Sequence, residues 1–138
     1  MIDVDDVRQL VVSGAVAPWQ GPEGRRQQHL GVENACSLAR RFLDHAIEVV
    51  IADVVNPDTL TVYRRLLPDA VVIHLQVSLV DARRRAAMRN VCLTNEQFEA
   101  LHGEDREHPP SSDHQINVTG LTLEQQLDTV ARLWHRLP

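Results

Sequence analysis

Two apolar runs constrain this chain more than any other feature of it. Val49-Val50-Ile51-Ala52 and Ala70-Val71-Val72-Ile73-His74-Leu75-Gln76-Val77 are β-branched and nearly continuous, the pattern of strands buried on both faces rather than strands with one wet side. Between them Asn56-Pro57 breaks the first run, Asp58 can cap a helix, and residues 59–67 place Leu60, Tyr63, Leu66 and Leu67 on one side before Pro68 stops them. Strand, helix and strand in that order predict a right-handed parallel crossover. Such strands are buried only in a layered α/β fold, with helices flanking a mostly parallel sheet.

The remaining segments extend that pattern. Residues 1–8 read as a short strand that carries Asp3 and Asp5 on one face to the C-terminal end of the sheet, with a short helix over 6–12 behind it. Ligands bind at such strand ends in α/β sheets. Residues 13–24 are a Gly- and Pro-containing loop in which Trp19 is either a lid or a surface anchor. A long helix follows over 23–46, with Leu30, Ala35, Leu38, Ala39, Phe42, Leu43 and Ala46 at helical spacing. After the second run come an arginine-bearing helix over 79–90, a short helix capped by Thr94 and Gln97 and ending near Leu101, and a polar stretch over 103–113 expected to be a mobile lid or loop. A strand over 114–118 and a helix capped by Thr122 and Gln125 close the pattern.

At 138 residues a single domain is expected. The net charge of −5 argues against a general nucleic-acid binder, which needs a basic surface, and leaves a small-molecule partner. No apolar run approaches the ~20 residues of a membrane span and no leader pattern is present, so no membrane partner and a cytoplasmic location are expected. Cys36 and Cys92 follow no metal-ligand spacing and read as buried small apolar residues. The seven histidines form no zinc signature. All 14 basic residues are arginine, so no lysine can contact a nucleotide phosphate.

Four segments in order carry a resemblance: Asp3-Val4-Asp5, Val50-Ile51-Ala52-Asp53, Arg85-Ala86-Ala87-Met88-Arg89, and Val118-Thr119-Gly120-Leu121-Thr122. In that order the chain resembles the P-loop small-molecule kinases, the group around chloramphenicol phosphotransferase, shikimate kinase and gluconate kinase, from the second strand of that fold onward. The resemblance implies a three-layer P-loop kinase-like parallel sheet and an ATP-dependent phosphotransferase lineage acting on a small-molecule hydroxyl, with ATP and Mg2+ as the family's cofactors. It implies Asp5 as the carboxylate that receives or orients the acceptor hydroxyl, Asp3 and Asp53 near magnesium, and Arg8 on an anionic substrate group. Arg85 and Arg89, one helical turn apart, match the lid arginines that contact transferring phosphates, a task suited to a permanently charged, bidentate donor. Thr119, Gly120 and Leu121 correspond to backbone lining the adenine. Each residue also has a plainer role. Asp3 and Asp6 suit a helix N-terminus, Asp53 can end a strand, arginines on helices are commonly solvated, and residues 119–121 can be a turn.

The family's Gly-x-x-x-x-Gly-Lys-[Ser/Thr] loop is absent from the sequence. That loop supplies the amides, lysine and hydroxyl that hold the phosphates and magnesium. The expectation is an N-terminally truncated fold that lacks its central strand, between the strands at 49–54 and 70–77, and that is inactive and binds ATP poorly by itself. The strand, loop and helix left out would span ~30 or more residues. The alternative is a non-catalytic remnant or interaction module that associates, with itself or a partner, through exposed sheet edges. A rearranged Rossmann-like domain is the third reading, without a Gly-x-Gly-x-x-Gly to support it.

Overall fold

A computed structural model describes residues 1–88 and 93–137. Six helices and four short parallel strands are present among them, the strands in two separate two-stranded sheets. The chain divides into two compact units, Met1–Ala70 and Val71–Pro138. No helix among the described residues is long and apolar enough to cross a membrane.

In the first unit, β1 (Ile2–Asp3) pairs in parallel with β2 (Ile51–Ala52), Ile2 opposite Ile51 and Asp3 opposite Ala52. The strand stops at Asp3 because Asp3 is the N-cap of α1 (Val4–Gln9), its carboxylate accepting from the Asp5 amide at 3.0 Å. The expected Asp3/Asp5 pair on one strand face is therefore not formed: Asp5 lies in the first helical turn. Helix α2 (Gly21–Leu43) buries Gly24, Gly31, Val32, Ala35, Cys36 and Ala39. Of the stripe read from the sequence, Leu30, Leu38, Phe42 and Leu43 are exposed, because the helix packs through its small residues, which allow neighbouring backbone to come close. At Gly24 a Cβ would sit 2.0 Å from the Ala17 carbonyl oxygen, and at Gly31 2.7 Å from Arg8 Cγ. Cys36 is buried as expected, a free thiol pushed up in pKa by burial; Cys92 lies outside the described residues.

Helix α3 (Pro57–Leu66) starts from a reciprocal cap in which Asn56 accepts from the Thr59 amide at 2.9 Å and the Thr59 hydroxyl accepts from the Asn56 amide at 3.0 Å. Asp58, the cap expected from the sequence, sits in the first turn instead. Leu60, Val62, Tyr63 and Leu67 are buried, and the last three join Ile2, Val4, Val32, Ala35, Cys36 and Ala39 in one core cluster.

In the second unit, β3 (Ile73–Gln76) pairs in parallel with β4 (His114–Asn117), Ile73 opposite His114 through Gln76 opposite Asn117. Ser78 caps α4 (Leu79–Ala86), Thr94 and Gln97 form the expected box at α5 (Asn95–Glu107), and Thr122 and Gln125 form that at α6 (Leu123–Trp134). Helix α5 runs past Leu101 through Gly103 to Glu107, so half of the stretch expected as a loop is helical. One glycine costs about 1 kcal/mol in a helix interior, and the capped run continues beyond it.

Neither apolar run is buried on both faces. Val50 and Leu75 are 49% and 46% exposed. The parallel pairs are β1 with β2 in the first unit and β3 with β4 in the second.

Candidate functional site

The first unit gathers acids where its two parallel strands end. Asp3 terminates β1 and caps α1, which places Asp5 and Arg8 one turn apart, with Arg8 Nη1 3.3 Å from Asp5 Oδ1. The Arg8 stem runs over Gly31, whose missing side chain leaves room for it. Asp53 directly follows β2, and its Oδ2 accepts from the Tyr63 hydroxyl at 2.8 Å.

Burial pushes the Asp53 carboxyl above the ordinary carboxylate range. The Tyr63 hydroxyl, the Val54 amide and the Arg8 charge oppose that, and the Asp5 charge reinforces it. Asp5 pairs with Arg8 in the turn that follows β1, and Asp53 follows β2, the parallel neighbour of β1, so three of the residues singled out from sequence lie at the same end of one strand pair. Tyr63 is the further partner of Asp53; its own pKa is raised, first by burial and then by the adjacent Asp53. Sequence reasoning placed Tyr63 only on a packed helix face. The missed signal was its hydroxyl, which needs a partner wherever a tyrosine is buried.

The second unit brings Arg85 together with Thr119, Gly120 and Leu121. The centre of this group is Asp81, buried at the start of α4. Its Oδ2 accepts from Arg85 Nη2 at 2.7 Å and from the Gly120 amide at 3.1 Å, and its Oδ1 pairs with Arg84. The Gly120 amide and the two guanidinium groups hold Asp81 below its ordinary value against the opposing effect of burial. Arg85 also donates to the Val118 carbonyl at 2.7 Å and to Gln126 Oε1 at 3.1 Å. Thr119 Oγ1 accepts from the Ser78 amide at 2.9 Å, and the Leu121 carbonyl accepts from Gln126 Nε2 at 2.9 Å. Asp81 appeared in the sequence only as one acid on an arginine-rich helix. Arg89 lies outside the described residues.

Both groups can be tested against the cofactors of the family resemblance. Asp3 is committed to the Asp5 amide and Asp53 to Tyr63, and among the described residues no three His, Cys, Asp or Glu side chains gather as a cation site. Gly120 spends its amide on Asp81, and Arg85 spends its guanidinium on Asp81, Val118 and Gln126. Asp81, Arg85 and Gly120 thus form a closed internal network and do not fit a triphosphate.

Comparison adds no family to this geometry. Neither a scan of protein-family models nor a search of curated proteins finds a match.

Two further features belong to the second unit. His74, nearly buried on β3, has Nε2 3.0 Å from Asp105 Oδ1 on α5. A cleft of about 380 Å³ lies between β4 and α6, lined by His114, Ile116, Thr129, Arg132, Leu133 and Arg136 among others.

Proposed function

We propose that the Asp5, Arg8 and Asp53 group binds a small hydroxylated molecule, and that the chain is of small-molecule phosphotransferase lineage, carrying the acceptor half of such a site. The observation that carries this reading is the placement of Asp3 and Asp53 at the C-terminal ends of two paired parallel strands, with Asp5 in the turn that follows, where α/β sheets bind ligands. The chemistry suits a hydroxyl. A carboxyl whose proton affinity is raised by burial is a better base near neutral pH, and Tyr63 fixes the Asp53 oxygen that it bonds. Arg8 screens Asp5 and stands ready for an anionic substituent on the acceptor. The phosphate-donor half has no counterpart in the sequence, which lacks both lysine and the glycine-rich loop.

A second reading, an interaction module that pairs through open sheet edges, is supported by the half-exposed apolar runs around β2 and β3.

The test is an amide-resolved NMR titration with sugar acids, shikimate-like alcohols and nucleosides, alongside magnesium-ATP. A hydroxylated compound that shifts the amides of Asp5, Arg8 and Asp53, and fails to do so in Asp53→Asn, supports the acceptor site. Shifts elsewhere only, or none at millimolar concentration, would remove it. Tight magnesium-ATP binding by these 138 residues would break the division into acceptor and donor halves.

A further inference from the structure

Helix α6 is amphipathic and leaves its most apolar side in water. Gln126, Thr129, Val130 and Leu133 are its partly covered positions, and Thr129 and Leu133 line the cleft against β4. Leu123, Leu127, Ala131 and Trp134 fall within an arc of about 80° at 100° per residue, and all four are exposed, Leu123 at 72% and Leu127 at 63%. No residue of the helix is buried. A stripe of this kind, off the side of the helix that lines the cleft with β4, is a surface for a further contact.

The charges beside the stripe identify its partner. Glu124 stands in the first turn and Asp128 one turn on; Arg132, His135 and Arg136 follow toward the C-terminal end. A parallel copy of the helix would set acid against acid and base against base. An antiparallel copy sets each acidic half against a basic half and opposes the helix dipoles.

We propose that α6 is a self-association helix, its Leu123, Leu127, Ala131 and Trp134 stripe pairing antiparallel with the same stripe of a second copy of this chain across a two-fold axis. The axis passes at the level of Thr129. Leu123 then meets Trp134 of the second copy, and Leu127 meets Ala131, so a large side chain faces a small one beside the axis, as close helix packing requires. Glu124 faces His135 of the second copy, whose ring N–H can donate to the carboxylate. Four apolar side chains from each helix bury less than the ~1,200 Å² of a standard interface. The association is accordingly weak, in the micromolar range or above. It is independent of the acceptor-site reading and uses none of that site's residues.

The experiment is sedimentation equilibrium on the 138-residue chain from ~1 µM to ~1 mM, a span that brackets weak dimers. A concentration-dependent dimer is expected, weakened at least about tenfold by Leu127→Glu. Glu124→Arg and His135→Glu should each weaken it, and the two together should restore it, a pattern that only antiparallel pairing produces. Hydrogen exchange across β3 and β4 checks that each variant keeps its fold. A monomer at every concentration overturns the proposal, as does a dimer insensitive to Leu127→Glu or a double variant that fails to recover.

Discussion

The two units share an architecture, a parallel strand pair with helices, and hold it together by opposite means. Met1–Ala70 closes around a cluster of nine buried apolar side chains, with polar contacts such as Tyr63 to Asp53, Val16 to Gln27 and Arg64 to Ala70 beside it. In Val71–Pro138 the buried apolar side chains among the described residues are Ala82 and Val118, beside the buried Pro110. Its segments are joined by hydrogen bonds instead: Asp81 to Gly120, Arg85 to Val118, Thr119 to Ser78, and Val72 to Asp113. Apolar burial tolerates small displacements, whereas directional bonds do not. The first unit should therefore yield to loss of volume and the second to loss of single polar atoms.

The largest test of that contrast is Tyr63→Ala. Removing a buried aromatic costs about 3–5 kcal/mol, and it also strips Asp53 of its hydrogen bond. Amide exchange should accelerate throughout α2 and α3 while β3 and β4 keep their protection. Uniform acceleration would show that the units unfold as one.

Asp81→Asn comes next and acts on the other unit. The amide cannot accept from Gly120, Arg84 and Arg85 as the carboxylate does, so exchange at Gly120 and along β4 should rise several-fold, with α2 unchanged. Val32→Ala, a loss of volume in the first unit, should show the reverse distribution.

Acid separates the units by sign. Asp53 is raised from its ordinary 3.8, so its contribution is full below that value and is lost as pH rises through its folded pKa. Asp81 is lowered from 3.8; its contribution is present above that value and is lost as pH falls through its folded pKa. Acidification from neutral should first relieve the first unit and then, below about 4, loosen the second. Exchange followed against pH in α3 and β4 tests this, and parallel profiles would contradict it.

The smallest effect should come from the Asp128–Arg132 pair on α6, both side chains more than 60% exposed. Asp128→Ala should change stability by less than about 0.5 kcal/mol, and a larger loss would mean that surface charge supports the second unit more than its internal bonds do.

Local structure was legible in the sequence wherever one short segment decides it. The Thr94/Gln97 and Thr122/Gln125 boxes were read correctly, because each cap closes within four residues. The choice of Asp58 over Asn56 failed because Pro57 occupies the first helical position, which moves the cap one residue before the proline. The packed face of α2 was misjudged because hydrophobic size was weighed over closeness of approach, and Gly24 and Gly31 declare that closeness. The strands were read as fully buried because continuous β-branched runs normally are, whereas Val50 and Leu75 are about half exposed. Asp5, Arg8 and Asp53 were chosen separately, and their placement at one end of the strand pair depends on the β1–β2 register. Asp81 stayed hidden because its principal partner, Gly120, is 39 residues away, beyond the reach of any local pattern.

The Tyr63 to Asp53 contact has a spectroscopic consequence. The chain has one tyrosine, and burial of its hydroxyl, together with the carboxylate that it bonds, makes phenolate formation unfavourable. Through the alkaline range where a free phenol develops its ultraviolet absorbance, this ring should stay silent until the first unit opens. Absorbance at high pH is thus a label-free clock for that opening, with no signal from the second unit.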